Sequence, residues 1–275
     1  MSEHVAGVIP IISDAIDFNM PWHTSLMPIG ADYNLVERAV HSAALAGCDT
    51  IWIVLHRESQ PLIRKKLGEW IYDPFYVWRG PNSFEVKREV PIYYVCIRAR
   101  DRSRRDSQAW SALYGAKIAR YVSLKISKWV TPKRYLVVSP YGVMDSETFS
   151  ASRPLIRGDK NIIYNSNGAN FLSNNHMPFT FGHEEWQSCD RMFKDEYIIG
   201  GDNKTKTWDQ VYSSIDTSQY FPVDCRWHHD VSSWNKYHAF LRSEDSLECI
   251  RPKYMVTHKW HGLVKDKNGK DKGQP

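Results

Sequence analysis

Several features are scarce in this 275-residue chain, and each scarcity removes a class of function. The five cysteines (Cys48, Cys96, Cys189, Cys225, Cys249) are odd in number, widely spaced and free of any C-x-x-C pair. That pattern argues against a disulfide framework or a zinc ribbon and fits reduced thiols in a cytosolic protein. No apolar run approaches the roughly 18 residues that a membrane-spanning helix needs. The opening MSEHVAGVIPIISDA has neither the basic start nor the long apolar core of a secretory leader, so cytoplasmic residence is expected. Charge of one sign is not in large excess. The net charge of +5 permits a phosphate-bearing small molecule but does not argue for nucleic acid, which calls for a stronger, clustered basic surplus. G-x-S-x-G and H-E-x-x-H motifs are absent, and no internal repeat occurs.

What is present is a soluble-type composition with 42% hydrophobic and 24% charged residues, enough chain for one large domain. Aromatic usage is high, with 11 Trp and 15 Tyr, which means a core of large rings or a surface that stacks on bases or sugars.

Hydrophobic patterning gives the organisation. Residues 5–12, VAGVIPII, form a short apolar run that reads as a buried strand. Asn34 and Glu37 make a capping-box-like helix start, apolar residues then recur at helical spacing to Ala44, and Gly47 stops the helix. TIWIVL (50–55) is a second continuous apolar strand, which completes a βαβ unit with parallel strands. The alternation continues through an expected helix at 61–71, a strand at 90–97, a helix at 107–126 and a strand at 134–139. An α/β fold with a mostly parallel sheet covered on both faces follows. Beyond about 160 the pattern loosens into strands and loops, with one further helix at 233–242. The charged tail 264–275 is expected to be disordered.

The segment VIPIISDAIDFNMPWHTSLMPIGADYNLVERAVHSAALAGCDTIWIVL (8–55) resembles the opening of sugar-phosphate nucleotidyltransferases and related cytidylyl- and uridylyltransferases. Pro21 falls on the proline of their G-x-G-T-R-x-x-P loop, Leu26-Met27-Pro28-Ile29 on their L-x-P element, and Ala46-Gly47-Cys48-Asp49 on their A-G-I-D. YLVVSPYGVMDSETF (135–149), RDSQAWSAL (105–113) and WHHDVSSWNKYHAFL (227–241) are similar to the family's metal-aspartate strand, its nucleoside loop and its second-aspartate element, in order. The resemblance implies a Rossmann-like, GT-A-like α/β sheet in a single domain over 1–263. It also implies a nucleotide-binding half to about residue 150 and a strand- and loop-rich substrate half after it.

The departures bear on chemistry. The family's glycine loop lets backbone N–H groups approach a triphosphate, but Asp14 and Ile16 stand at those positions. Phe18 replaces the loop arginine, Thr24 the lysine before L-x-P, and Pro140 the metal aspartate that ends the central strand. Of the charged set only Asp230 remains.

The resemblance thus implies a divergent nucleotidyltransferase that joins an NTP and a sugar phosphate. Asp230 would hold Mg²⁺, and Arg105 would supply charge to the reaction. Ser13, Asp14, His23, Thr24, Arg104, Ser107 and Gln108 would contact the nucleotide. The alternative is an inactive scaffold that binds a nucleotide, a sugar or a protein partner. Asp14 or Asp17 reads either as a relocated metal ligand in the first loop or as a turn cap. Bland readings stand beside the others: RARDRSRR (98–105) as a solvated loop and Asp230 as a turn aspartate before the helix at 233. His183, Glu184 and Glu185 lack metal-motif spacing and read as a pocket wall or a strand end.

Overall fold

The computed structural model describes residues 3–11, 20, 22–77, 88–99, 101, 107–174, 176–195 and 208–255. Strand β1 (Val5–Pro10) is wholly buried and leads to a small ribbon of β2 (Pro28–Gly30) and β3 (Tyr33–Asn34). Helix α1 (Leu35–Leu45) follows at once. Its capping box is complete: Asn34 Oδ1 accepts from the Glu37 N–H at 3.0 Å, and Glu37 Oε2 accepts from the Asn34 N–H at 3.2 Å. Strand β4 (Thr50–Leu55) then lies parallel to β1, as the βαβ pattern implied.

Helix α2 (Gln60–Leu67) is shorter than the expected 61–71. It ends at Gly68, and Trp70–Tyr72 turn outward as β5, antiparallel to β6 (Glu89–Cys96). The apolar residues at 70–72 carry a two-residue period that a helical template also accepts over so short a run. The short helix α3 (Pro74–Val77) comes between β5 and β6. The long helix α4 (Gln108–Ile126), capped by Ser107, leads to β7 (Arg134–Val137) and the short β8 (Gly142–Met144).

Besides the short α3, three helices occur where loops were expected or nothing was assigned. They are α5 (Ser146–Ile156), α6 (His183–Asp195) and α7 (Trp208–Tyr212). α5 contains Pro154 and four Ser/Thr residues, which lower its apparent propensity; Asp145 nevertheless caps it, accepting from the Thr148 N–H at 2.7 Å. The remaining strands are β9 (Ile162–Asn165), β10 (Phe179–Gly182), β11 (Phe221–Asp224) and β12 (His228–Asp230), and α8 (Trp234–Leu241) follows β12.

Eight strands form one sheet in the order β11-β9-β10-β7-β1-β4-β6-β5. Six share one direction, because only β10 and the edge strand β5 run antiparallel to their neighbours. Helices cover both faces. Gly7 faces Ala43 of α1, while the next residue, Val8, meets α4. That second contact is close: a Cβ on Gly115 would lie 2.6 Å from Val8 Cγ1 and 2.7 Å from Val54 Cγ2, so only glycine lets α4 settle on β1 and β4.

At the amino ends of these strands an ion-pair network takes the place of apolar packing. Asp73 is fully buried and receives both Arg153 nitrogens at 2.8 and 2.7 Å, with Arg88 at 3.4 Å. Asp49 accepts from the Val5 N–H at 2.9 Å and from Arg157 at 3.2 Å. No helix among the described residues is long and apolar enough to cross a membrane. The tail 264–275 lies outside the described residues.

Candidate functional site

The carboxyl ends of β1 and β7 are where an open α/β sheet places ligands. Beyond β7 the chain turns through Ser139-Pro140-Tyr141 into β8, and β12 pairs antiparallel with β8 so that Asp230 lies opposite Gly142. The Val231 N–H donates to the Tyr141 carbonyl at 2.8 Å and fixes Asp230 beside this turn. The loop before β10 enters from the other side with His176.

A chain of polar contacts links six separate segments. Thr24 Oγ1 and the Tyr141 hydroxyl are 2.7 Å apart, and the same hydroxyl reaches the Ile11 carbonyl at the end of β1. Ser139 Oγ lies 3.0 Å from His176 Nδ1, and Gln108 Nε2 is 3.5 Å from that nitrogen. The other ring nitrogen, Nε2, faces Asp230 Oδ1 at 4.0 Å. Asp230 Oδ1 also accepts from the Ser232 N–H at 2.8 Å, and Oδ2 accepts from Lys236 Nζ at 2.5 Å. Burial works against the Asp230 carboxylate, but the bonds from Lys236 and Ser232 prevail and hold its pKa below the ordinary value.

The histidines here are kept neutral. Burial lowers His176 to about 4, with Lys236 acting in the same direction and Asp230 against it. Burial lowers His228 and His23 to about 4 as well. The site therefore offers neutral hydrogen-bonding rings around one carboxylate–ammonium pair.

Of the residues singled out from the sequence, Thr24, Gln108 and Asp230 join this chain of contacts. Ser107 stands next to it as the cap of α4, accepting from the Trp110 N–H at 3.2 Å. His23 caps its own turn, accepting from the Ser25 N–H at 3.2 Å. Ser13, Asp14, Asp17, Arg104 and Arg105 lie outside the described residues, as do Arg100 and Arg102, while Arg98 is exposed. His183 follows the end of β10 directly, and Glu184 and Glu185 line a cavity with Asn161, Ser188 and Tyr220, as the pocket-wall reading expected. The three open α6 at the far end of the sheet, where Glu185 accepts from the Gly182 N–H at 2.9 Å and from Asn161 at 2.7 Å. His176, Ser139, Tyr141 and Lys236 were missed. Ser139 and Tyr141 flank Pro140 in the 135–149 element and Lys236 follows Asp230 by six residues in the 227–241 element, so of these only His176 had no local signal.

The donor set is a poor match for a divalent ion. Two carboxylates would be needed for the family's Mg²⁺ seat, and the end of β7 supplies Ser139 and Pro140 instead. Both Asp230 oxygens are already engaged by N–H donors. Among the described residues no three His, Cys, Asp or Glu side chains are grouped to hold a metal. The described residues do not fit a resident Mg²⁺.

Gly142 holds the arrangement together. A Cβ there would sit 2.0 Å from the His176 carbonyl oxygen and 3.0 Å from His228 Nε2. Gly142→Ala is expected to cost about 1–3 kcal/mol through overpacking and to push His176 away from Asp230. Urea denaturation checks the first effect and ¹⁵N-imidazole NMR of His176 the second. An unshifted His176 resonance would refute the close-contact role.

No protein-family model matches the chain, and no curated protein matches it in sequence. Solved structures do match. A Bacillus anthracis protein assigned as a glucose-1-phosphate thymidylyltransferase, solved with sucrose, has a TM-score of 0.59 at 9% identity, over 91% of this chain and 98% of that one. A UDP-glucose pyrophosphorylase complexed with UDP-glucose has a TM-score of 0.58 at 11% identity, over 86% and 97%. The 4-diphosphocytidyl-2C-methyl-D-erythritol synthase of Anaerococcus prevotii has a TM-score of 0.51 at 11% identity, over 87% and 95%. The fold is that of the sugar-phosphate nucleotidyltransferases, as the ordered motifs implied.

Proposed function

We propose that this chain is a divergent cytoplasmic nucleotidyltransferase that moves a nucleotidyl group from an NTP to a sugar phosphate or a similar small acceptor. The observation that carries the proposal is the convergence of Thr24, Gln108, His176, Asp230 and Lys236 from distant segments at the carboxyl ends of β1 and β7. That is the place where this sheet type binds ligands. An acceptor phosphate oxygen would form the new bond to the α-phosphorus, the bond to the β-phosphate bridging oxygen would break, and pyrophosphate would leave with its electron pair. The charge developing on the phosphates would meet Lys236 and, in this reading, Arg104 and Arg105. Gln108 and Thr24 would orient the nucleotide through hydrogen bonds. Any divalent ion enters bound to the triphosphate, as part of the substrate.

The second reading, a scaffold that binds the same ligands without turnover, is favoured by one feature. Pro140 occupies the place of the metal aspartate, and the remaining aspartate is tied to a lysine.

A thermal-shift panel of NTPs and sugar nucleotides, followed by pyrophosphate-release assays, separates the two. A ligand at about 100 times its Kd adds roughly 2.7 kcal/mol, which corresponds to a shift of several degrees in a chain of this size. A shift with pyrophosphate release that falls about 10²- to 10³-fold in Asp230→Ala supports transfer. A shift without release supports the scaffold, and a flat panel removes the nucleotide site altogether.

A further inference from the structure

We propose that Lys236 is a built-in cation that occupies the seat a divalent metal would need at Asp230, so that the chain meets a phosphate ligand with its own ammonium group. The inference rests on the ligand class proposed above, but its central claim concerns only the competition between Lys236 and a metal for Asp230.

Four observations support it. First, Lys236 Nζ lies 2.5 Å from Asp230 Oδ2, while Oδ1 is taken by the Ser232 N–H at 2.8 Å and faced by His176 at 4.0 Å. Each oxygen of that carboxylate thus already accepts a hydrogen bond from an N–H donor. Second, the lysine stands in an electrostatically unfavourable position. It is the third residue of α8, where the Ser233 hydroxyl accepts its N–H, and the first turn contains no acidic residue. A positive charge there opposes the helix dipole, so helix stability does not account for it. Nor does a surface ion pair, which contributes little when the lysine side chain is 55% exposed.

Third, the lysine is placed rather than loose. The Tyr237 hydroxyl donates to the Pro28 carbonyl and pins α8 against the β2 segment next to Thr24. β12 holds Asp230 opposite Gly142. Fourth, the exposure is unequal. Asp230 is mostly covered at 19%, while the half-exposed lysine keeps a face to solvent from which an anion can approach. The change at the end of β7 fits this picture, since Ser139-Pro140 leaves Asp230 as a single carboxylate, which makes at best a weak metal seat but suffices for an ammonium group.

The test uses Mn²⁺ alone and inorganic pyrophosphate alone. Mn²⁺ titrations followed by electron paramagnetic resonance compare the wild type with Asp230→Asn, Lys236→Met, Lys236→Arg and the double variant Lys236→Met/Asp230→Asn. Far-UV circular dichroism and melting confirm that each is folded. Wild type, Asp230→Asn and Lys236→Arg are expected to bind Mn²⁺ equally poorly. Lys236→Met is expected to gain a site about tenfold tighter or more, which the double variant loses. In EDTA, calorimetry should show pyrophosphate binding to the wild type that weakens by about 10- to 100-fold in Lys236→Met and persists in Lys236→Arg.

A wild-type Mn²⁺ site that disappears in Asp230→Asn would overturn the proposal, because Asp230 would then already serve a metal. Pyrophosphate binding unchanged in Lys236→Met would overturn it too. If the wild type binds no pyrophosphate at all, the transferase reading falls, and the Mn²⁺ comparison still decides the role of the lysine.

Discussion

Between pH 6.5 and 4 the protein should lose several kcal/mol of folding stability before its carboxylates protonate in bulk. Buried histidines drive the loss, and His41 and His176 are the most deeply buried of them. His41 is 4% exposed, and burial lowers its pKa to about 3, with the Arg38 guanidinium adding to the effect. His176 is 5% exposed and is lowered to about 4. Both are neutral when folded and titrate near 6.5 when unfolded, so the unfolded chain gains protons that the folded chain refuses. The stability is therefore complete above about 6.5 and declines as the pH falls toward the folded values. At about 1.4 kcal/mol per pH unit and proton, the two together reach on the order of 6 kcal/mol at pH 4.

Urea denaturation at several pH values measures the slope directly. His176→Gln should reduce the proton uptake between pH 6 and 5 by about one, because Gln keeps a polar group near Ser139 but cannot take up a proton. Stability that stays flat from pH 7 to 5 would show that these histidines have room to charge in the folded state. The position of His41 makes that outcome hard to reach: its ring lies between the Tyr254 hydroxyl at 2.6 Å and the Tyr33 hydroxyl at 3.4 Å, with Arg38 one turn away.

The same contrast between buried and exposed surroundings explains what the sequence could reveal. β1 and β4 are buried on both faces, so every residue is apolar or small and the strands stand out as continuous runs. The cap of α1 was equally legible, since Asn34 and Glu37 satisfy each other within four residues. Thr24, Gln108 and Asp230 could be placed because they sit in motifs whose order follows the fold. His176 could not. It meets Ser139 from 37 residues away, in a loop with no hydrophobic period, and nothing local marks it as part of the site. The helix α6 was hidden for a related reason. It is mostly polar, and among its described side chains only Cys189 is fully buried, which leaves a thin apolar stripe to detect.

Asp73→Ala is expected to destabilise the protein by about 3–5 kcal/mol, the cost of leaving a buried guanidinium without its partner. Asp73 precedes α3, Arg153 lies in α5, and Arg88 leads into β6, so one carboxylate ties three elements at the amino ends of the strands. Arg153 also lies over the Phe75 ring at 4.8 Å, which leaves it little freedom to swing out to water once the carboxylate is gone. Thermal melting should show a drop of roughly 10 °C, taking 2–4 °C per kcal/mol for a chain of this size. The double variant Asp73→Leu/Arg153→Met should recover much of the loss, because replacing both charges with apolar groups removes the desolvation penalty along with the attraction. Equal melting of the single and double variants would mean that the stability comes from Arg88 and Asp49 instead. The network lies at the opposite end of the sheet from Asp230 and Lys236, so ligand binding by the folded fraction of either variant should stay unchanged.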